Sequence, residues 1–392
     1  MQSETDERLI AQVRELIPLL AANASKVESD RRISEDNVEA LDRLGLFKLM
    51  VPKRWGGYEA SPATVLRVGA ELAKGCAATA WVQVIIEGSS WMASLLPDAG
   101  QEEIFASGAP RVCGVITPTA TSRNVAGGYL VSGRWSFASG CQYASWAALA
   151  IPLVDRAGNV TGMGLAFVPT AQLTIEDTWF MSGMSGTGSN TLVGNEIFVP
   201  EERLLSLEAC LAGEFPGKKY SGALSDRWAF VPALALSLAG PMLGAAEAAL
   251  KLATDGTHKR GITYTHYARQ IDSQVVHRDI AEATLKIQGA WLYAERAANE
   301  IARLARAGLP MDYISRARIR GECGFIGKLL REAVDQIVSI SGAPSFAQTS
   351  AIQRHWRDIN VATRHPHLSA ATNLELYGHA LLGLPDNIDR GV

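Results

Sequence analysis

Three long apolar stretches with helical spacing, at about 228 to 253, 276 to 306 and 313 to 340, fill the second half of this 392-residue chain and constrain its fold most. Helices of that length must bury their apolar faces against one another, which makes a bundle. The other end is helical as well. From Glu7 to about Ala22, Leu9, Ile10, Val13, Leu16, Ile17 and Leu20 recur at helical spacing, and a second helix fits Ser34 as N-cap to Leu44, with Gly45 as its stop. Further helices fit 62 to 74 and about 78 to 96, the latter carrying Trp81 and Trp91. Pro110 changes the texture. Between Arg111 and about Leu205 come short β-like runs with Gly-rich turns, at Gly128 to Phe137, Trp146 to Val154, Gly162 to Val168 and Asn190 to Val199. These read as a small antiparallel β domain. After Pro216 the chain is helical again, with Ser341-Gly342 as a break and a last helix near 370 to 382.

The expectation is an α+β fold, mainly α: an N-terminal helical domain over 1–110, a middle antiparallel β domain over 111–215 and a C-terminal four-helix bundle over 216–392. A β domain inserted between helical regions packs on the bundle, and the cleft where they meet is the default place for a cofactor. No internal repeat or low-complexity segment interrupts this order.

Composition narrows the function classes. The formal net charge is −3, charged residues make up 20% of the chain and no block of lysines or arginines occurs, so nucleic acid has no electrostatic footprint. The start, Met1 to Arg8, is polar and acidic, and no run of 18 or more apolar residues occurs, which leads us to expect a cytoplasmic protein without membrane association. Five scattered cysteines, Cys76, Cys113, Cys141, Cys210 and Cys323, form no Cys-x-x-Cys pair and argue against a disulfide framework or a zinc site. No Gly-x-Gly-x-x-Gly fingerprint follows a strand, so a nicotinamide site is not expected. The stretch Ser182-Gly183-Met184-Ser185-Gly186-Thr187-Gly188 is neither a phosphate loop nor a nucleophile elbow: no lysine follows and Gly-x-Ser-x-Gly is absent.

Four segments carry a resemblance over essentially the whole chain. They are Leu44-Gly45-Leu46-Phe47 through Val51-Pro52-Lys53-Arg54-Trp55-Gly56-Gly57, and Val131-Ser132-Gly133-Arg134-Trp135-Ser136-Phe137-Ala138-Ser139-Gly140. Next come Gly183 to Ser189 leading to Val199-Pro200, and finally Ser341-Gly342-Ala343-Pro344-Ser345-Phe346 with Gln353-Arg354-His355-Trp356-Arg357-Asp358. In this order they resemble the acyl-CoA dehydrogenase superfamily. The dehydrogenases use a glutamate to remove the α-proton of a thioester, either a short way past the arginine of the Arg-Asp pair or on an earlier helix. Here the first place reads Arg364-His365-Pro366-His367, and the second, Pro232 to Ser237, holds no acid. A site without a carboxylate does not run that abstraction in the usual way. Histidine at this point, after Trp-Arg-Asp, resembles the flavin-dependent monooxygenase branch, which includes hydroxylases of phenols and fused aromatics and nitrososynthases acting on amino sugars.

The resemblance implies the oxygenase component of a two-component monooxygenase. A separate reductase supplies reduced FMN or FAD, dioxygen gives a flavin C4a-hydroperoxide, and one oxygen passes to an aromatic, phenolic or indolic small molecule. Alternatives are an N-oxygenase acting on an amine or amino sugar, a dehydrogenase with a displaced base, and a non-catalytic flavin-fold protein. By the same resemblance Ser139 lies near flavin N5, while Ser136, Phe137 and Ala138 back the ring and Thr117, Pro118 and Thr119 deliver donors from the preceding strand. Arg260, before a Gly261 to Ile271 stretch that looks disordered, matches an arginine that grips flavin phosphate; a guanidinium suits that by bidentate contacts. Ser341, Gly342 and Ala343 would let backbone approach the flavin of a neighbouring subunit, in a homotetramer. His365 is the general acid/base, since an imidazole titrates near neutral pH, and His367, two residues on, would point elsewhere on an extended segment. Against these stand plain readings: Ser139 closing a turn, Arg260 as a solvated helix-end residue, and Gly342 ending a helix. Trp81, Trp91 and Trp291 are candidates for an aromatic pocket wall.

Overall fold

Helices open the chain because apolar residues recur every three or four positions between polar ones: α1 (Glu4–Ser29), α2 (Glu35–Arg43), α3 (Pro62–Gly75), α4 (Ala77–Ala93) and α5 (Asp98–Phe105). The computed structural model that shows this describes residues 4–106, 108, 110–220, 222–385, 388–389 and 391. Ser34 and Ser61 cap α2 and α3, their hydroxyls accepting from the backbone N–H of Asn37 and Thr64. α4 is buried along nearly its whole length, including a polar stripe of Thr79, Gln83, Glu87 and Ser90.

Eight strands follow: β1 (Val112–Val115), β2 (Ala120–Val125), β3 (Gly128–Ala138), β4 (Trp146–Val154), β5 (Val160–Pro169), β6 (Thr174–Glu176), β7 (Asn190–Pro200) and β8 (Leu204–Ser206). They make two four-stranded sheets, ordered β1-β4-β5-β8 and β2-β3-β7-β6. The inner faces of both sheets meet in a core that includes Cys113, Trp135, Leu149 and Leu192. The expectation of a purely antiparallel domain is corrected: β1 and β4 pair in parallel, Val112 opposite Trp146. The β2–β3 hairpin lies between them in sequence and gives the chain room to return in the same direction. Strands β1, β6 and β8 have only three or four residues, too few to show alternation in the sequence.

The second half comprises α6 (Leu207–Ala212), α7 (Phe230–Ser237), α8 (Ala239–Thr257), α9 (Gln274–Ala307), α10 (Tyr313–Ser341), α11 (Ala351–Ala362) and α12 (Ala370–Leu381). The stretch expected as one helix over 228–253 is two, broken near Leu238, where Pro241 supplies no N–H for the ladder. Its most apolar window is 89% buried, so it is packed rather than displayed. The segment 261–271 is not disordered: Ile262 N donates to Tyr267 O (3.1 Å), Gln270 N to Arg260 O (2.6 Å) and Gln270 Nε2 to Ile340 O (2.8 Å). One apolar core runs through both helical regions, from Leu9 on α1 to Leu368 beyond α11.

Candidate functional site

Strand β3 ends on an irregularity. Trp135 pairs with Leu192 but Ala138 with Asn190, so one extra residue is inserted, and Phe137 takes a left-handed conformation (φ +67°). Such a bulge re-aims a side chain. Phe137 is 68% exposed and meets Trp179 edge-on at 5.7 Å between ring centroids, while Ser136 also faces outward. Ala138 differs from its expected neighbours: its methyl is fully buried in the β-domain core, leaving only backbone to offer a ligand. Thr117, Pro118 and Thr119 are exposed in the turn from β1 to β2, and the Thr119 hydroxyl donates to Arg134 O (2.5 Å), tying that turn to β3.

Ser139 is buried, and its hydroxyl sits between two partners: Trp81 Nε1 donates to it (3.3 Å), and Ser189 Oγ lies 2.7 Å away. Ser189 Oγ continues to Thr187 Oγ1 (2.6 Å), which donates to Met184 O (2.8 Å). The Met184 N–H in turn donates to Asp358 on α11 (2.6 Å), and Arg357 donates to Ser182 O. The Trp-Arg-Asp motif therefore clamps the glycine-rich turn from the bundle side. Ser189 and Thr187 were visible in the sequence only as hydroxyl residues in the Gly183 to Ser189 segment, with no sign that they join Ser139.

His365 stands on the far side of Trp81, the two rings meeting edge to face at 5.7 Å. The extended path expected for 365–367 is corrected. Leu368 N and Ser369 N both donate to His365 O (2.8 and 2.9 Å), closing a turn that brings the His365 and His367 rings to 5.3 Å. Local hydrogen bonding wins because Asn373 on α12 gathers the turn, its amide donating to Pro366 O (2.7 Å) and Ser369 O (2.8 Å). Arg320, buried on α10, holds that amide through Asn373 Oδ1 (2.9 Å) and pairs with Asp389 (2.9 Å). Neither Asn373 nor Arg320 carried a sequence signal. The backbone N–H of His367 donates to His365 Nδ1 (3.2 Å), so Nδ1 is an acceptor and the neutral ring carries its proton on Nε2. Burial, with the Arg320 cation adding to it, pushes His365 down to about 4 and His367 well below its ordinary range. Both are neutral at pH 7.

The remaining candidates form a second group. Arg260 O accepts from Gln270 N, and the Gln270 amide reaches Ile340 O, which puts Arg260 beside the end of α10 where Ser341, Gly342 and Ala343 follow. Gly342 does cap α10, with N–H to Val338 O (3.0 Å). Arg260 Nη1 and Ser341 Oγ are buried without a hydrogen-bond partner among the described residues. Buried donors left unpaired are costly, and a flavin phosphate would satisfy both, so this group fits that ligand. Trp91 and Trp291 have other partners: Trp91 is fully buried and donates to Ser225 O (3.1 Å), and Trp291 donates to Glu247 (2.7 Å).

Family comparison decides the class. Residues 3–113 match the acyl-CoA dehydrogenase N-terminal domain and 236–370 the acyl-CoA dehydrogenase C-terminal domain. The oxygenase subunit HsaA of a flavin-dependent monooxygenase from Rhodococcus jostii (strain RHA1) is 31% identical, over 94% of this chain and 97% of its own. This chain belongs to the flavin-dependent monooxygenases of the acyl-CoA dehydrogenase superfamily. The oxygenase component of an FADH(2)-dependent resorcinol hydroxylase from Rhizobium sp. (strain MTP-10005) is 29% identical to this monooxygenase over 98% of the chain and 96% of its own. Among solved structures, XiaF from Streptomyces sp., in complex with FADH2 and glycerol, superposes with a TM-score of 0.92 at 32% identity, covering 99% of this chain and 98% of its own.

Proposed function

We propose that this monooxygenase hydroxylates a phenolic or indolic small molecule, with reduced FMN or FAD delivered by a separate reductase. The observation that carries the reading is Trp81: its Nε1–H donates to Ser139 while its ring meets His365 edge to face, so one indole links the proposed flavin-side hydroxyl to a neutral imidazole. Ser136, Phe137 and Ser139 would hold the ring, with Thr117, Pro118 and Thr119 beside it. Arg260, Ser341, Gly342 and Ala343 would hold its phosphate side, reached from a neighbouring copy in a homotetramer. A bound reduced flavin supplies the electrons and the oxygen activation. The chain excludes water and orients the substrate. His365 offers its Nε2–H to the substrate oxygen, favouring the phenolate as charge develops there; serving as a base at Nδ1 would first require breaking the hydrogen bond that the His367 N–H donates to it. Relatives named for resorcinol and for p-hydroxyphenylacetate 3-hydroxylation support a phenol, and one named indole-3-acetate monooxygenase supports an indole.

The test supplies photoreduced FMN or FAD and oxygen to the purified chain and screens phenols, indoles and amines by mass spectrometry. Gain of one oxygen by a phenol or indole is the expected result. Oxygenation of amines alone, or NADH oxidation at catalytic rates by the chain without a reductase, would overturn it.

A further inference from the structure

We infer that Ser189 and Thr187 are positioning residues that fix Ser139 as a hydrogen-bond acceptor, giving the site a built-in preference for reduced over oxidised flavin. The inference rests on the flavin placement proposed above and follows from counting protons. A carbonyl only accepts, so Thr187 Oγ1 spends its single proton on Met184 O (2.8 Å). The 2.6 Å contact between Thr187 and Ser189 must then use the proton of Ser189, and the 2.7 Å contact between Ser189 and Ser139 must use that of Ser139. Indole nitrogen only donates, so Trp81 occupies one lone pair of Ser139 (3.3 Å). One lone pair remains and no proton. The N5 of a reduced flavin bears a hydrogen and can donate to that lone pair, whereas the N5 of an oxidised flavin is an acceptor and meets another acceptor. The chain of hydroxyls is anchored at its far end, because Met184 is held by Asp358 (2.6 Å) and its carbonyl also accepts from Trp179 Nε1 (3.0 Å).

Anaerobic titration of the apo-protein with reduced and oxidised FMN and FAD reads the preference as a ratio of Kd values, oxidised over reduced. Ser189→Ala frees the Ser139 proton to turn toward N5. That variant and the near-isosteric Thr187→Val, which removes the anchoring donor, are each expected to lower the ratio about 3- to 10-fold, the worth of one hydrogen bond. Thr187→Ser keeps the donor and is expected to keep the ratio. The midpoint potential of the bound flavin should fall in step in the first two variants, which a loss of packing alone would not produce. If Ser139→Ala lowers the ratio while Ser189→Ala and Thr187→Val leave it unchanged, the proton ordering is wrong. If Ser139→Ala also changes neither constant, the flavin does not lie against Ser139 and the placement itself falls.

Discussion

Burial decides the charge of His355, His365 and His367, and the first of them reports this without taking part in the chemistry. His355 on α11 is buried, its Nδ1 has no hydrogen-bond partner among the described residues, and burial together with Arg354 pushes it down from 6.5 to about 4. A histidine depressed by folding contributes stability that is complete above pH 6.5 and is lost as pH falls through about 4. Asp358 acts in the opposite sense: burial pushes it up to about 6, so its contribution is present below 3.8 and lost as pH rises through about 6. His355→Gln, which cannot titrate, should therefore lose less stability than wild type between pH 7 and pH 4.5, by up to about 3 kcal/mol. Urea unfolding at the two pH values measures the difference, and parallel pH dependences would sink the assignment. His365 calls for a kinetic test. Its replacement by Ala is expected to slow product formation roughly 10²-fold with reduced-flavin binding retained, the loss typical of a positioned acid/base or donor. Unchanged product-to-peroxide ratios in single turnovers would reduce His365 to a packing role.

The turn that carries His365 is set at the level of helix packing. Gly324 and Gly327 lie on one face of α10, and a Cβ added at Gly324 would come within 2.8 Å of Asn373 Cβ, one at Gly327 within 2.5 Å of Leu368 O. Neither backbone can give way cheaply. Gly327→Ala is expected to cost about 1–3 kcal/mol and to shift the 363–369 turn, raising peroxide release at the expense of product. Gly378 on α12 is the contrast, with nothing within 4 Å of its Cβ position, so Gly378→Ala should be neutral or stabilise by up to about 1 kcal/mol. Thermal melts with peroxide assays separate the two; equal effects would show that the glycine face does not set the turn. The same level explains what could be read from sequence. α9 and α10 are long enough for periodicity to speak, and β3, β4 and β7 run for nine or more residues, β4 as an unbroken apolar stretch. By contrast, the turn at 365–367 depends on Asn373, and the Ser139 hydroxyl chain on Asp358 of α11, partners that only the folded chain brings near. Local propensity has no access to such contacts, which is why those positions were reached by resemblance and their partners were missed.

At the scale of the whole molecule, one chain leaves both polar and apolar surface unfinished. The residues proposed to face the flavin sit on β3 and its neighbours, while Arg260 and Ser341 keep orphaned polar atoms at the end of α10, a division that a second copy reaching across would resolve. On α9, Leu285 and Leu292 are 67% and 70% exposed and, seven residues apart, share one face of the helix. Two large leucines aligned in water on a long helix are a surface seeking a partner, and symmetric closure of such faces gives dimers and tetramers. A homotetramer is expected in solution, and the double variant Leu285→Glu, Leu292→Glu should shift the mass to smaller species by placing like charges across each face. If neighbouring copies complete the flavin site, the dissociated variant should also bind reduced flavin more weakly, while wild type loses affinity on dilution through its dissociation range. Mass photometry paired with flavin titration tests both together. A monomeric wild type with full activity would remove the tetramer, and a dissociated variant with undiminished flavin affinity would place Arg260 and Ser341 outside the site.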